Sequence, residues 1–306
     1  MKIGLIGAGR LGICLALLME NAGYDVLVSD IREDYVDNLN KKIISSAEPF
    51  VQEHLKQAKY LEATTDNKRV IKECDLIFTL VATPSLDDGS YDISSVWDVI
   101  RDFQDGSNVK GKTLVVGCTT NPGDCSRFQE LLKSYGVNVV YNPEFIAQGS
   151  IIRDLTHADM VLLGGDNAEV LETLSNIYKK IQVTKPVISI MSSTAAEIVK
   201  IAINCYMTTK ISFANMIGQV LILSELEDEI ESVLSSIASD SRIGSKYLKF
   251  GFGFGGPCLP RDNRAFSKYA EKLGLTYNLG KTTDNFNDEH ATVSYTHLTL
   301  PTNREV

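Results

Sequence analysis

Apolar residues alternate between short continuous runs and helical periods along the first two thirds of the chain. Lys2-Ile-Gly-Leu-Ile-Gly7 is a run of the kind a buried parallel strand requires. A helical stretch from Ile13 to Asn21 follows, ended by Gly23, and a second apolar run from Asp25 reaches Asp30. Further strand-like runs are predicted at Leu76–Ala82, Thr113–Cys118, Val137–Tyr141, Met160–Leu163 and Val187–Met191, with helices over 66–73, 92–103, 124–135 and 167–180 between most of them. This alternation predicts an α/β fold, a Rossmann-type doubly wound parallel sheet spanning residues 1–191. Ligands of such sheets sit beyond the carboxyl ends of the strands. Three loops at that edge, Thr83-Pro84-Ser85, Thr119-Thr120-Asn121-Pro122 and Asn142-Pro143-Glu144, set polar residues beside a proline. Turn chemistry explains any one of them; all three at one edge point to a site.

Between the first strand and the first helix stands Gly7-Ala-Gly9-Arg10-Leu11-Gly12. In that context Gly7 makes the tight turn, Gly9 lets the backbone meet a pyrophosphate, and Gly12 packs helix on strand. The helix N-terminus supplies amide donors and a positive dipole. Asp30 ends the second strand at the spacing of about 20 residues expected of an acid that accepts from the adenosine ribose hydroxyls. A carboxylate there repels a 2′-phosphate, so NAD is the expected cofactor over NADP, a preference that Arg32 weakens slightly.

The pattern changes in the last third. From Ser192 to about Leu226 there is no proline and only Gly218 as a glycine, so one or two long helices are predicted, capped by Ser192 or Ser193. Residues 192–292 thus read as an all-helical central domain. Lys200 and Asn204 share a face of that helix, either a solvated one, the simpler reading, or one aimed into a polar pocket. A helix so apolar all round asks for burial, which a subunit interface would supply. A smaller helix, Asp228–Ala238, and a cationic stretch with Arg242, Lys246, Lys249, Arg261 and Arg264 follow; the cations are scattered surface charge or an anion-binding rim. Within that stretch lies Gly251-Phe-Gly-Phe-Gly255-Gly-Pro-Cys258-Leu-Pro-Arg-Asp262. Cys258 is either a covalent nucleophile reached through a glycine-lined approach or a small apolar residue in a flexible loop.

Composition narrows the class. The 306 residues allow about two domains, and 44% hydrophobic with 23% charged residues is ordinary for a soluble globular protein. No apolar run reaches the ~18 residues of a membrane span, and because Met1 leads directly into a strand no signal peptide is expected. A net charge of −9 argues against a nucleic-acid partner held by phosphate contacts. The six cysteines form no CxxC pair and the four histidines no HExxH, so no metal site is expected, and a reducing cytoplasm fits best.

Together these pieces resemble the UDP-glucose/GDP-mannose dehydrogenase family over about residues 1–290. The resemblance rests on Gly7-x-Gly9-x-x-Gly12 with Asp30, Glu48-Pro49, Thr83-Pro84 followed by Asp88-Gly89 and Asp92, and Thr119-Thr120-Asn121-Pro122. Asn142-Pro-Glu144-Phe145-Ile-Ala-Gln148-Gly149, Lys200-x-x-x-Asn204 and Phe254-Gly255-Gly-Pro-Cys258-x-x-x-Asp262 complete it. It implies a four-electron, NAD-dependent oxidation of a nucleotide sugar's 6-hydroxymethyl group to a carboxylate, UDP-glucose to UDP-glucuronate being the first choice, through a thiohemiacetal and a thioester on Cys258. It further implies that Lys200 and Asn204 stabilise the oxyanion, that Asp262 assists the thiol through an ordered water or acts as base with Lys200, and that Thr120 and Glu144 position water. Gly7, Gly9, Arg10, Leu11, Gly12, Asp30, Thr83, Pro84, Thr120 and Gln148 would bind the cofactor. Glu144, Phe145, Lys200, Asn204, Arg242, Lys249 and Gly255 would bind substrate, Arg242 reaching the substrate of a neighbouring subunit in a homodimer built on the long helix.

Two departures stand out. Gln148 replaces the family's frequent second glutamate, which removes any role needing charge there. The family's third domain, which binds the nucleotide half of the substrate, is expected to be absent: the resemblance stops near Asn287-Asp-Glu-His290-Ala291, and residues 293–306 lack a helical period and read as a non-native tail. Alternatives are a GDP-mannose or UDP-N-acetylhexosamine 6-dehydrogenase, a hydroxy-acid dehydrogenase of the 6-phosphogluconate type, which needs no thiol, or a truncated NAD-binding dimer without turnover.

Overall fold

A computed structural model describes the backbone of residues 1–299 and the side chains of residues 1–291. By its internal contacts the chain divides into two units, Met1–Pro84 with Tyr91–Glu197, and Ser85–Ser90 with the residues from Ile198 onward.

The first unit is an eight-stranded sheet: β1 (Lys2–Ile6), β2 (Asp25–Ser29), β3 (Leu61–Thr64), β4 (Leu76–Thr79), β5 (Thr113–Val116), β6 (Asn138–Tyr141), β7 (Met160–Gly164) and β8 (Val187–Met191), in the order β3-β2-β1-β4-β5-β6-β7-β8. Its helices are α1 (Arg10–Asn21), α2 (Glu33–Asn40), α3 (Val51–Gln57), α4 (Asn67–Glu73), α5 (Ser94–Asp105), α6 (Asp124–Lys133), α7 (Ile151–Thr156) and α8 (Ala168–Ile181). The strands are apolar along their whole length because both faces are covered; Ile3, Leu5, Val28, Phe78 and Val115 are fully buried. Strands β1 to β6 are parallel to their neighbours, so their carboxyl ends share one edge. The doubly wound parallel sheet is as expected, with one antiparallel pairing at its far side. There β7 pairs antiparallel with β6 through Tyr141 and Gly164, and β8 runs parallel to β7. A buried apolar run does not encode its own direction, and either pairing satisfies the backbone.

The second unit is helical. Its long helix α9 (Ser193–Leu223) has its first turn in the first unit, and a 3₁₀ turn (Glu227–Glu229), α10 (Ile230–Ala238), α11 (Leu259–Lys272) and α12 (Leu279–Thr299) follow. The helix α12 carries residues 293–299 as helix, where no helical period was expected, since extending an existing helix costs far less than starting one. Residues 300–306, the end of the suspected tail, lie outside the described residues.

The face that α9 buries is polar as well as apolar: Asn204, Thr208, Ser212 and Asn215 are buried at intervals of one turn. Tyr206, Phe213, Met216, Val220 and Leu223 recur at offsets of seven, three, four and three residues along another face and are exposed, Tyr206 at 64% and Leu223 at 86%. Among the described residues no helix is long and apolar enough to cross a membrane.

Candidate functional site

The glycine loop after β1 has the geometry a dinucleotide needs. Gly7 sits at φ +98°, and a Cβ there would lie 2.8 Å from the Leu80 carbonyl oxygen. A Cβ on Gly12 would lie 2.0 Å from the Gly7 carbonyl oxygen, so helix and strand meet backbone to backbone. At Gly9, by contrast, a Cβ would meet nothing within 4 Å, which leaves the approach to the first turn of α1 open. That helix begins with no side-chain cap and no acidic residue in its first turn. A diphosphate therefore fits the residues present. Leu11 is partly buried against the core, whereas Arg10 is exposed and donates from Nη1 to Gln148 Oε1 at 3.1 Å.

Asp30 lies just beyond β2. Burial pushes its carboxyl up, but hydrogen bonds and charge from Arg32 outweigh that and hold it below its ordinary value. At the same sheet edge Thr83 is buried and Pro84 exposed, the latter accepting from Asp92 N at 2.7 Å.

Thr120 is fully buried, and its hydroxyl donates to Glu197 Oε1 at 2.8 Å. Glu197, also fully buried, accepts in addition from Cys125 N at 2.9 Å and Gly123 N at 2.6 Å, so one carboxylate ties the loop after β5 to the first turn of α9. Burial raises its carboxyl above the usual range, and the same donors oppose the shift.

Glu144 and Phe145 are half-buried after β6. The buried Asn142 donates to Leu162 O at 3.1 Å, which fixes its amide orientation and leaves Oδ1 to accept from Tyr178 Oη at 2.6 Å. The same Tyr178 oxygen also contacts Glu144 Oε1, so one phenol anchors both residues of the Asn-Pro-Glu turn. Glu48 is buried and takes Gly149 N on both oxygens at 3.0 Å, holding the Gln148-Gly149 end of the loop.

In the second unit Asn204 corrects the simpler reading. It is buried, not solvated, and its Nδ2 donates to Asp262 Oδ2 at 2.6 Å. Lys200 is half-buried one turn before it. Asp262 is fully buried, accepts from Arg261 Nε at 3.1 Å, and its amide donates to Cys258 O at 2.8 Å. That last bond opens α11, with Cys258 at its N-cap and the thiol exposed. The other cysteines are buried, and burial pushes Cys14, Cys74 and Cys205 up to about 12.

The glycine loop before Cys258 is pinned rather than free. Asn287 clamps Phe254, accepting from its N at 2.7 Å and donating to its O at 3.0 Å, and a Cβ on Gly253 would lie 2.2 Å from Asn287 Oδ1. Asn215 accepts from Gly251 N at 3.0 Å. His290 Nε2 lies 2.8 Å from Gly251 O, and since a carbonyl only accepts, that nitrogen carries the proton. Gly255 and Lys249 are exposed, and Arg242, also exposed, pairs with Asp240 through Nε at 3.0 Å and Nη2 at 2.6 Å.

Sequence reasoning passed over Glu197, Tyr178, Asn215, Asn263 and His290. Glu197 alone carried a signal, its i, i+3, i+7 register with Lys200 and Asn204. Asn263 is fully buried and joins α9 to α12, its Oδ1 accepting from Thr208 and its Nδ2 donating to Gly280 O at 2.7 Å.

Comparison with known proteins places this geometry. Residues 1–182 match the NAD binding domain of the UDP-glucose/GDP-mannose dehydrogenase family, and residues 194–289 match that family's central domain. The UDP-glucose 6-dehydrogenase of Rickettsia conorii is 33% identical over 276 residues, covering 89% of this chain and 63% of that protein. That of Rhizobium meliloti is 31% identical over 300 residues, covering 94% and 68%. A solved UDP-glucose dehydrogenase from Pyrobaculum islandicum superposes with a TM-score of 0.83 at 28% identity, over 94% of this chain and 68% of that one. The chain thus spans less than two thirds of the length of the first of these relatives.

Proposed function

This chain belongs to the UDP-glucose/GDP-mannose dehydrogenase family, and from that premise we propose that it serves the four-electron oxidation of a nucleotide sugar's 6-hydroxymethyl group, UDP-glucose to UDP-glucuronate. The observation that carries the reading is Cys258: the exposed thiol, behind a pinned glycine loop and at the positive end of α11. NAD, when bound, supplies the hydride acceptor, two equivalents per sugar.

The residues of this chain do the rest. The alcohol loses a proton to water held by Glu144, and a hydride, leaving an aldehyde. The Cys258 sulfur adds to the aldehyde carbon, and the carbonyl oxygen becomes an oxyanion that Lys200 and the second amide hydrogen of Asn204 stabilise. Loss of the remaining hydride gives a thioester. Water then adds at the carbon, the C–S bond breaks, the thiol is restored and the acid leaves. Asp262 fixes Asn204 and takes up protons with Lys200. Thr120, whose proton goes to Glu197, contributes an acceptor. Phe145, Arg242, Lys249 and Gly255 contact the sugar nucleotide. The exposed apolar stripe of α9 is the seam of a homodimer.

The test is a stoichiometry, measured on this chain carried to the full length of its relatives. Two NADH per UDP-glucose are expected, and none of the acid from Cys258→Ala. One NADH per turnover with accumulating aldehyde overturns the reading. GDP-mannose and UDP-N-acetylhexosamines run in parallel decide the sugar. Calorimetry that finds NAD binding to this chain without UDP-glucose binding supports an NAD-binding dimer that turns nothing over.

A further inference from the structure

Tyr178 has one hydrogen to give and two acceptors to serve. It lies buried near the end of α8, its oxygen 2.6 Å from Asn142 Oδ1 and in contact with Glu144 Oε1. Asn142 Nδ2 is committed to Leu162 O at 3.1 Å, so Oδ1 faces the phenol, and an amide oxygen only accepts. Burial first, and then the charge of Glu144, push the phenol's own ionisation well above its ordinary value, so its hydrogen stays on the oxygen. Among the described residues Glu144 is the group whose charge acts on Tyr178. Lys179 and Lys180, next to it on α8, are exposed; one donates to Asn176 at 3.2 Å and the other lies over the Tyr24 ring. Tyr178, Asn142, Glu144 and Leu162 all belong to the first unit.

A hydroxyl hydrogen rotates to suit its partners. When Glu144 is ionised, both partners accept, and the charge-assisted bond to the carboxylate is the stronger. When Glu144 carries a proton on Oε1, it donates to the phenol oxygen, and the phenol hydrogen turns to Asn142 Oδ1. In neither state does the carboxyl face a lone pair, so neither state bears the cost of a buried polar group left unsatisfied. We infer that Tyr178 is a positioning residue for Glu144, its single hydrogen turning between Glu144 and Asn142 as the carboxyl loses and gains a proton. This role rests on the proposed part of Glu144 in the first proton removal, and it supplies the group that lets that carboxyl change state without moving. The proton taken from the alcohol passes through the water that Glu144 holds and ends on Oε1. Tyr178 keeps its own hydrogen throughout, and release of the proton runs the same turn backwards.

The first measurement is nuclear magnetic resonance of this chain with an isotopic label at the tyrosine ring carbon that bears the hydroxyl. The Tyr178 signal, identified by its loss in Tyr178→Phe, is expected to shift with pH in the native chain and to stand still in Glu144→Gln. A signal that never shifts, or that shifts as far in Glu144→Gln, overturns the inference. Should Tyr178→Phe fail to fold, the shift that Glu144→Gln abolishes identifies the signal instead. The second measurement is turnover of the chain carried to the full length of its relatives. Tyr178→Phe is expected to lower kcat about tenfold, the worth of one charge-assisted hydrogen bond, with KM for NAD unchanged. Added to Glu144→Gln, it should cost nothing further. An equal loss in both backgrounds marks a structural role alone and overturns the inference. If the native full-length chain turns nothing over, the proposed oxidation falls, while the resonance measurement still decides for or against Tyr178.

Discussion

Asn204 Nδ2 lies 2.6 Å from Asp262 Oδ2, joining α9 to α11 one turn after the exposed thiol. One of the two amide hydrogens of Asn204 is thus committed, and the bond sets where the other can point. Replacing Asp262 by Asn exchanges one accepting oxygen for a donor among Asn204 and Arg261, both donors. Asp262→Asn is expected to lower the unfolding free energy in urea by about 1–3 kcal/mol, the cost of a buried polar group left unsatisfied. A variant as stable as the native chain would mean that the contact does not brace the thiol loop.

Cys258 is the exposed one of the six cysteines. Brief treatment of the folded chain with iodoacetamide at mildly alkaline pH should therefore add one carbamidomethyl group, and mass spectrometry of peptides should locate it at Cys258. Cys258→Ala should take up none on the same timescale. Labelling spread over the buried cysteines would contradict the burial described here.

Gly218 sits in the interior of α9, where alanine is ordinarily favoured by about 1 kcal/mol. Here a Cβ would lie 2.0 Å from Phe250 Cδ2, with Cε2 and Cγ at 2.5 and 2.6 Å, so the whole ring must move. Overpacking of that kind costs about 1–3 kcal/mol and reverses the sign. Gly218→Ala should lower the melting temperature, and adding Phe250→Leu should recover most of the loss. A rise in melting temperature for Gly218→Ala alone would refute the packing argument.

Glu197 gives a pH dependence with a definite sign. Burial raises its native-state value above that of the unfolded chain, so the native state binds the proton more tightly. Its contribution is complete below the unfolded carboxylate's value and is lost as pH rises towards the raised native one. Glu197→Gln does not titrate and sets an amide against the backbone N–H groups of Gly123 and Cys125. The native chain should melt higher than the variant at acid pH, with the difference narrowing as pH increases. A difference that widens instead would reverse the assigned shift.

The parts legible in the sequence are those whose chemistry is local. Gly7, Gly9 and Gly12 announce a strand–turn–helix because all three act within one turn of chain. The runs at Met160 and Val187 are readable as strands, yet their reversal against β6 is not, since direction is decided by a partner. The short elements β3, α2, α3 and α7 were passed over because so few residues hold no clear period. Asn204 misleads for the same reason that β7 does: its partner Asp262 is remote in sequence, and without it an asparagine on a helix reads as solvated. Tyr178 is apolar in periodicity and shows its polar duty only when Asn142 and Glu144 stand beside it.

The bond from Glu197 to the loop after β5 has a consequence for the rest of the sheet edge. Gly123 N and Cys125 N are the free amides of the start of α6, and the chain fills them with its own carboxylate. Glu48 does the same for Gly149 and Ile151 at α7, and Asp66 and Asn167 for α4 and α8. The protein is in this sense its own competitor. Inorganic phosphate, sulfate or a misplaced nucleotide meets amides already satisfied at the starts of α4, α6, α7 and α8, while α1 keeps its amides for a guest, so the prior occupation of those four leaves the start of α1 open to a diphosphate.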